Sequence, residues 1–182
     1  MDVKIKLEGF DKLEAMLSPQ VYKKAATRSI NRAAKSAFTA GSKEIRKTYA
    51  LKAKDIKKDT KIKKASWTKM EAVIEIVSKD RISLRRFKPR QTKKGVSFRI
   101  RKDKKRSLIE SGFIVDKLGG NVFKRKGKSR LPIKAMKADI SAAELFDHDP
   151  IRKIVNKAAN ETMQKEFSRN WEYYAKKAKA KK

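Results

Sequence analysis

The chain has 182 residues, with 51 Lys and Arg against 20 Asp and Glu for a formal net charge of +31, and it contains no cysteine. That length suits one domain, or one domain with an extended arm. The missing cysteines exclude a disulfide framework, a thiolate metal site and a cysteine nucleophile.

Hydrophobic residues make up 39% of the chain and charged residues another 39%. A core can form, but a thin one, so neighbouring subunits are expected to cover some of its apolar surface. A cationic excess of this size speaks about partners: nucleic acid, an anionic membrane surface, or an acidic protein patch. A membrane is disfavoured, because no apolar run approaches the ~20 residues that span a bilayer. The opening MDVKIKLEGF lacks the apolar stretch of a signal peptide, which fits a protein made and used without secretion. The charge is unevenly spread. Residues 51–137 hold 30 basic and 8 acidic side chains, residues 1–50 hold 11 and 5, and residues 138–182 hold 10 and 7.

Val3, Ile5 and Leu7 alternate with Lys4 and Lys6, the period-2 pattern of a half-buried strand. Phe10–Leu17 reads as a short amphipathic helix. Ser18-Pro19 then supplies a cap and a first-turn proline for a long helix over 19–49. Its apolar stripe is Tyr22, Ala26, Ile30, Ala33, Ala37 and Ile45, mostly alanine, so close packing against a partner is expected. Gly41 weakens the case for an unbroken helix. Residues 51–59 suggest one or two further helical turns.

The pattern then changes to strand: 73–77, 82–84, 96–100, and 108–109 through 113–115. Val96, Phe98 and Ile100 share one face of the third of these, and Ser97, Arg99 and Arg101 the other, a sheet with a buried and a basic side. Residues 88–95 and 101–106 read as polar, basic connectors. Asp149-Pro150 begins a last helix over 149–176, with a stripe of Ile151, Ile154, Val155, Ala158, Thr162, Met163, Phe167, Trp171 and Tyr174. The fold expected is α+β: a mostly antiparallel sheet from the middle segment, packed against a long N-terminal-half helix and a long C-terminal helix. A single domain over 1–182 is expected, with 176–182 a frayed basic tail.

Catalytic signals are missing. The one histidine, His148, stands between Asp147 and Asp149, and the triplet reads as a helix-entry segment rather than a metal site. No zinc-protease, phosphate-loop or nucleophile-elbow motif occurs. The expectation is a protein that is not an enzyme and holds no cofactor or metal.

One segment stands above background. Arg85 to Arg106 carries 12 basic residues against Asp103 alone. Cations at this density release counterions from a phosphate backbone and give sequence-independent affinity. Arg85, Arg86, Lys88, Arg90, Lys93, Lys94, Arg99 and Arg101 are the candidates for a DNA-facing surface. Phe87 and Phe98 are too few for a base-stacking platform. A solvated charged face, or a docking surface for an acidic partner, is the alternative. The stripe of Phe167, Trp171 and Tyr174 reads first as core, and second as a subunit interface.

Several words in the chain match a known family in order. They are Ser29-Ile30-Asn31-Arg32 in the alanine-rich helix, Glu44-Ile45-Arg46-Lys47-Thr48-Tyr49, and Lys54-Asp55-Ile56-Lys57. Phe87 to Val96, Val122-Phe123-Lys124-Arg125 and Arg130-Leu131-Pro132-Ile133 follow. Across residues 20–135 the chain resembles the minor tail protein Z family of bacteriophages. After residue 135 it departs, with Ala135-Met136-Lys137-Ala138-Asp139 where members often run into a glycine-proline-serine stretch.

The resemblance implies a structural virion protein of the tail or neck, a tail-completion subunit at the head-proximal end. It implies a homo-oligomeric ring, a hexamer by analogy with a tail tube, with neighbouring neck and tail proteins and viral double-stranded DNA as partners. It places the protein in the virion, and in the host cytoplasm during assembly. Charge alone also permits a non-viral, sequence-independent nucleic-acid-binding protein.

Overall fold

Alanine sets the geometry of the longest element. In the computed structural model, which describes residues 2–6, 19–78 and 80–180, helix α1 runs Pro19–Thr48 without a break at Gly41. Tyr22, Ala26, Ile30, Ala33, Ala37 and Ile45 are all buried, as the stripe requires, and Ala25 and Ala34 join them. The expected helix at Phe10–Leu17 and the cap at Ser18 lie outside the described residues.

The remaining elements in order are β1 (Asp2–Lys6), α2 (Ala53–Lys58), β2 (Thr60–Lys63), β3 (Glu71–Ile76), β4 (Arg81–Ser83), β5 (Arg90–Thr92), β6 (Gly95–Phe98), β7 (Ser107–Glu110), β8 (Phe113–Val115), β9 (Asn121–Arg125), β10 (Ile133–Ala135), β11 (Lys137–Ser141), α3 (Ala142–Asp147) and α4 (Asp149–Lys179). The architecture is α+β, with antiparallel sheets in the middle of the chain. Instead of one sheet there are four small ones among the described residues. Short 3-10 turns stand at Leu84–Arg86 and Asp116–Leu118.

The chain divides into two compact units. The first takes in residues up to Gly41, Thr60–Val77 and Asp149 onward. Its sheet has order β1-β3-β2, and on β3 the alternate residues Ala72, Ile74 and Ile76 are buried while Glu71, Val73 and Glu75 are half-buried.

Helices α1 and α4 run antiparallel in this unit, because their partners count in opposite directions. Ser29 Oγ accepts from Asn170 Nδ2 at 3.0 Å, Arg32 pairs with Glu166 at 3.4 Å, and Thr162 Oγ1 donates to Ser36 Oγ at 2.8 Å. Phe167 fills the space left by Ala25 and Ala26 and meets Tyr22 edge-on, with Trp171 and Tyr174 packed against the group. The buried face of α4 therefore includes two polar side chains, Glu166 and Asn170, and takes Ala159 where Ala158 was expected. The helix continues past residue 176 to Lys179.

The second unit holds Ser42–Asp59 and Ser78–His148. It contains two three-stranded meanders, β5-β6-β7 and β8-β9-β10, and the pair β4-β11. The connector expected at 88–95 is itself a strand and a tight turn, with Arg90, Gln91 and Thr92 facing Ser97, Val96 and Gly95. Gly95 sits at φ +147, and a Cβ there would meet the Ile109 carbonyl oxygen at 2.0 Å, so only glycine lets β6 approach β7 this closely. Helix α3 starts on a capping box between Ser141 and Glu144. Leu84, Phe87, Val96, Val122, Leu145 and Phe146 are among the most fully buried apolar side chains of this unit.

If alanine sets the helix spacing, a larger side chain on that face must force the helices apart. Ala26→Leu is expected to destabilise by roughly 1–3 kcal/mol, while Lys35→Leu on the exposed face should stay within about 0.5 kcal/mol. Urea unfolding of both variants measures the contrast, and equal midpoints would refute it.

Candidate nucleic-acid interface

The cationic segment lies wholly in the second unit, and the eight candidate residues part into two groups there. Arg85, Lys88, Arg90, Lys93 and Lys94 are exposed. Arg90 lies on β5, and Lys93 and Lys94 form the turn that joins it to β6. Arg86 and Arg101 are held by acidic partners instead, and Arg99 is half-buried with its Nε enclosed and without a hydrogen-bond partner among the described residues.

Arg86 forms an ion pair with Asp59, with the side chains 19% and 7% exposed, and its Nη1 also donates to the Asp55 carbonyl at 3.4 Å. Arg101 grips Asp103 through two parallel bonds, Nε to Oδ1 at 3.0 Å and Nη2 to Oδ2 at 2.9 Å. That hydrogen bonding holds the Asp103 carboxyl below its ordinary pKa. The Arg101 guanidinium also lies 5.8 Å from the centre of the Tyr49 ring, within cation–π range. Arg99 is half-buried on β6's trailing edge, and its backbone N–H donates to the Phe87 carbonyl at 3.2 Å.

Two residues outside the candidate set shape this surface. Arg106 Nη2 donates to the carbonyls of Lys88 and Ser97, each at 2.8 Å, tying the segment's start to its sheet. Burial first, and then the charges of Arg90 and Arg99, push its pKa below the ordinary arginine value. Gln91 is the second. Its Nε2 donates to the carbonyls of Gly95 and Gly112 at 3.2 Å, and its Oε1 accepts from the Ile114 N–H at 3.0 Å. These bonds fix the β5–β6 hairpin, so Lys93 and Lys94 project from a rigid support. Sequence reading passed over both, because their partners are backbone groups brought near only by folding.

The aromatic stripe is in the first unit. Phe167 is 2% exposed, enclosed by Tyr22, Ala25 and Ala26. Trp171 stacks on it with ring centres 5.9 Å apart, and Tyr174 Oη accepts from Arg28 Nη1 at 3.3 Å. These contacts lie within the subunit's own helix pair. His148 is the exposed C-cap of α3. Among the described residues no group of His, Cys, Asp or Glu is placed to hold a metal ion, and no helix is long and apolar enough to cross a membrane.

A family model described as prophage minor tail protein Z (GPZ) matches residues 8–178. The chain belongs to the minor tail protein Z family. It is a structural protein of the phage tail and a component of the virion. No curated protein and no solved structure matches it.

In this Z protein the family-like words turn out to be fasteners. Ser29, Asn31 and Arg32 occupy one turn of α1 but reach separate partners. Ser29 takes Asn170 and Arg32 takes Glu166, while Asn31 clasps Ala65 in both directions, Nδ2 to the carbonyl at 3.1 Å and Oδ1 from the N–H at 2.8 Å. The lysine-rich word centres on Ile56, which is buried and lines a small apolar gap with Leu51, Ile82, Leu145 and Phe146.

Removing one partner of a buried ion pair leaves the other charge stranded. Asp59→Ala is therefore expected to cost about 3 kcal/mol, and Asp59→Leu with Arg86→Met to recover most of it. Equilibrium unfolding tests both. A loss below about 1 kcal/mol in the single variant would mean that the pair holds nothing together.

Proposed function

We propose that this Z-family protein is a tail-completion subunit that joins the head-proximal end of the phage tail. In this reading it assembles there as a homo-oligomeric ring, beside neighbouring neck and tail proteins, with its basic face toward the DNA passage. The observation that carries the proposal is the exposed set Arg85, Lys88, Arg90, Lys93 and Lys94, presented by a hairpin and a turn with no acidic residue between Arg81 and Arg101. Lysine and arginine in such an array hold duplex DNA through its phosphates. Those contacts position the duplex without reading bases, as a passage for a whole genome requires. A head-to-tail interface whose rotation closes gives a ring, which suits a thin-cored subunit around a channel.

The hairpin triple variant Arg90→Gln, Lys93→Gln, Lys94→Gln tests the DNA-facing surface. All three side chains are exposed, so folding should be almost unaffected. Each lost phosphate contact should lower the slope of log affinity against log salt by about 0.9, close to three units for the set. Docking on an acidic neighbour predicts a different outcome: an unaltered slope, with tails that fail to join heads in an assembly assay. That second result would overturn the DNA-facing reading.

A further inference from the structure

We infer that the second unit contains a built phosphate-binding cleft, separate from the hairpin, which takes a phosphodiester group of the DNA backbone between helix α2 and the Leu84–Arg86 turn. The inference rests on the DNA-facing reading above and adds a second, fixed point of contact. Two adjoining open clefts, of about 440 and 260 Å³, share Lys54, Asp55, Arg85 and Arg86 in their walls. Lys52 and Lys88 complete one and Lys58 the other. Lys54 and Lys58 are four residues apart on α2, and so stand on one face of it.

The charges in this lining do not cancel. Arg86 is already taken by Asp59, which lies outside the lining, and among the described residues Asp55 is the one carboxylate in the walls. Lys52, Lys54, Lys58, Arg85 and Lys88 remain exposed and cationic around the two adjoining clefts.

The walls are held in place. Asn121, on the far side, accepts from Ser83 Oγ at 3.1 Å and donates to the Leu118 carbonyl at 2.9 Å. A Cβ added to Gly119 would come within 2.9 Å of Arg85 Nη1, so the guanidinium rests against the Gly119–Gly120 turn. Lys88 has φ +51, a left-handed conformation that costs a β-carbon residue energy, and its carbonyl is held there by Arg106. An unfavourable backbone at a cationic wall residue is the kind of outlier from which function is inferred.

The lining bears on the kind of anion-bearing partner. An arginine fork accepts carboxylate and phosphate alike, but the apolar side chain in these walls is Pro89 alone among the described residues, so a peptide would find no apolar anchor here. Phosphate needs no such anchor. It accepts the fork of an arginine and the point charges of lysines.

The test uses the full chain, a short DNA duplex of arbitrary sequence and, as a second probe, inorganic phosphate. The cleft variant is Lys54→Gln, Lys58→Gln, Lys88→Gly. The glycine suits the left-handed position, so the urea midpoint should hold or rise. The salt slope for duplex should fall by about 0.9 per lost contact, close to three units and additive with the hairpin variant. Acylation of Lys54 and Lys58 should be slowed by duplex but not by millimolar phosphate, which separates a backbone site from a free-ion site. Protection by phosphate alone would overturn the backbone assignment. An unaltered slope in the cleft variant, with a reduced slope in the hairpin variant, would overturn the cleft and leave only the hairpin residues Arg90, Lys93 and Lys94 facing DNA. A wild-type chain with no salt-dependent duplex binding would overturn both.

Discussion

Two strongly cationic pieces of chain, α2 and the Leu84–Arg86 turn, lie side by side in the second unit, and their coexistence depends on one carboxylate. Like charges about 4 Å apart at a protein surface repel by roughly 4 kcal/mol. Asp59 stands at the end of α2, where its N–H closes the helix on the Ile56 carbonyl at 3.2 Å and its carboxylate receives Arg86. By neutralising Arg86 it lets the turn settle, with Leu84 and Phe87, two of the most deeply buried residues of the unit, seated on either side. The apolar packing and the cationic surface thus share one hinge of charge. The same pairing leaves Arg85, Lys54 and Lys58 without an acidic partner among the described residues, lining one cleft.

Most of the architecture was legible where burial is one-sided and local. The alternation in β3 and β6 and the alanine stripe of α1 are read directly from periodicity, because one face of each is buried. β5 was not legible. Arg90, Gln91 and Thr92 contain no apolar residue and are all exposed, so their extended state comes from pairing with β6 and from the bonds of Gln91. The face of α4 was blurred by Asn170, whose partner Ser29 lies more than a hundred residues away on α1, and by Glu166, which is shared between Arg169 of its own helix and Arg32 of α1. The box at Ser141 and Glu144 was readable by pattern, as a serine followed three residues later by a glutamate.

The basic segment was legible as charge but not as a surface. Nothing local distinguishes Arg85 from Arg86, adjacent and chemically identical, yet one is exposed and the other is clasped by a residue 27 positions away. Nor does linear order place Lys54 and Lys58 beside Arg85. For the same reason the residues that carry the family likeness divide by role. Ser29, Asn31, Arg32 and Ile56 secure the fold, while the cations around them vary in what they hold. In a tail component whose task is to occupy a place in an assembly, a likeness written in fasteners is physically sensible.

The polar contacts across the α1–α4 pair have a further consequence. An interface of alanines is smooth, and by itself it would tolerate one helix sliding along the other by a turn, about 5.4 Å. Asn170 on Ser29, Glu166 on Arg32 and Thr162 on Ser36 recur at close to one-turn intervals and each needs its own counterpart. Sliding by a turn would take the buried Asn170 amide away from Ser29, at a cost of about 1–3 kcal/mol, whereas Glu166 would keep Arg169 of its own helix at 2.7 Å. The three contacts act as the teeth of a ratchet: they set the axial alignment of two smooth rods.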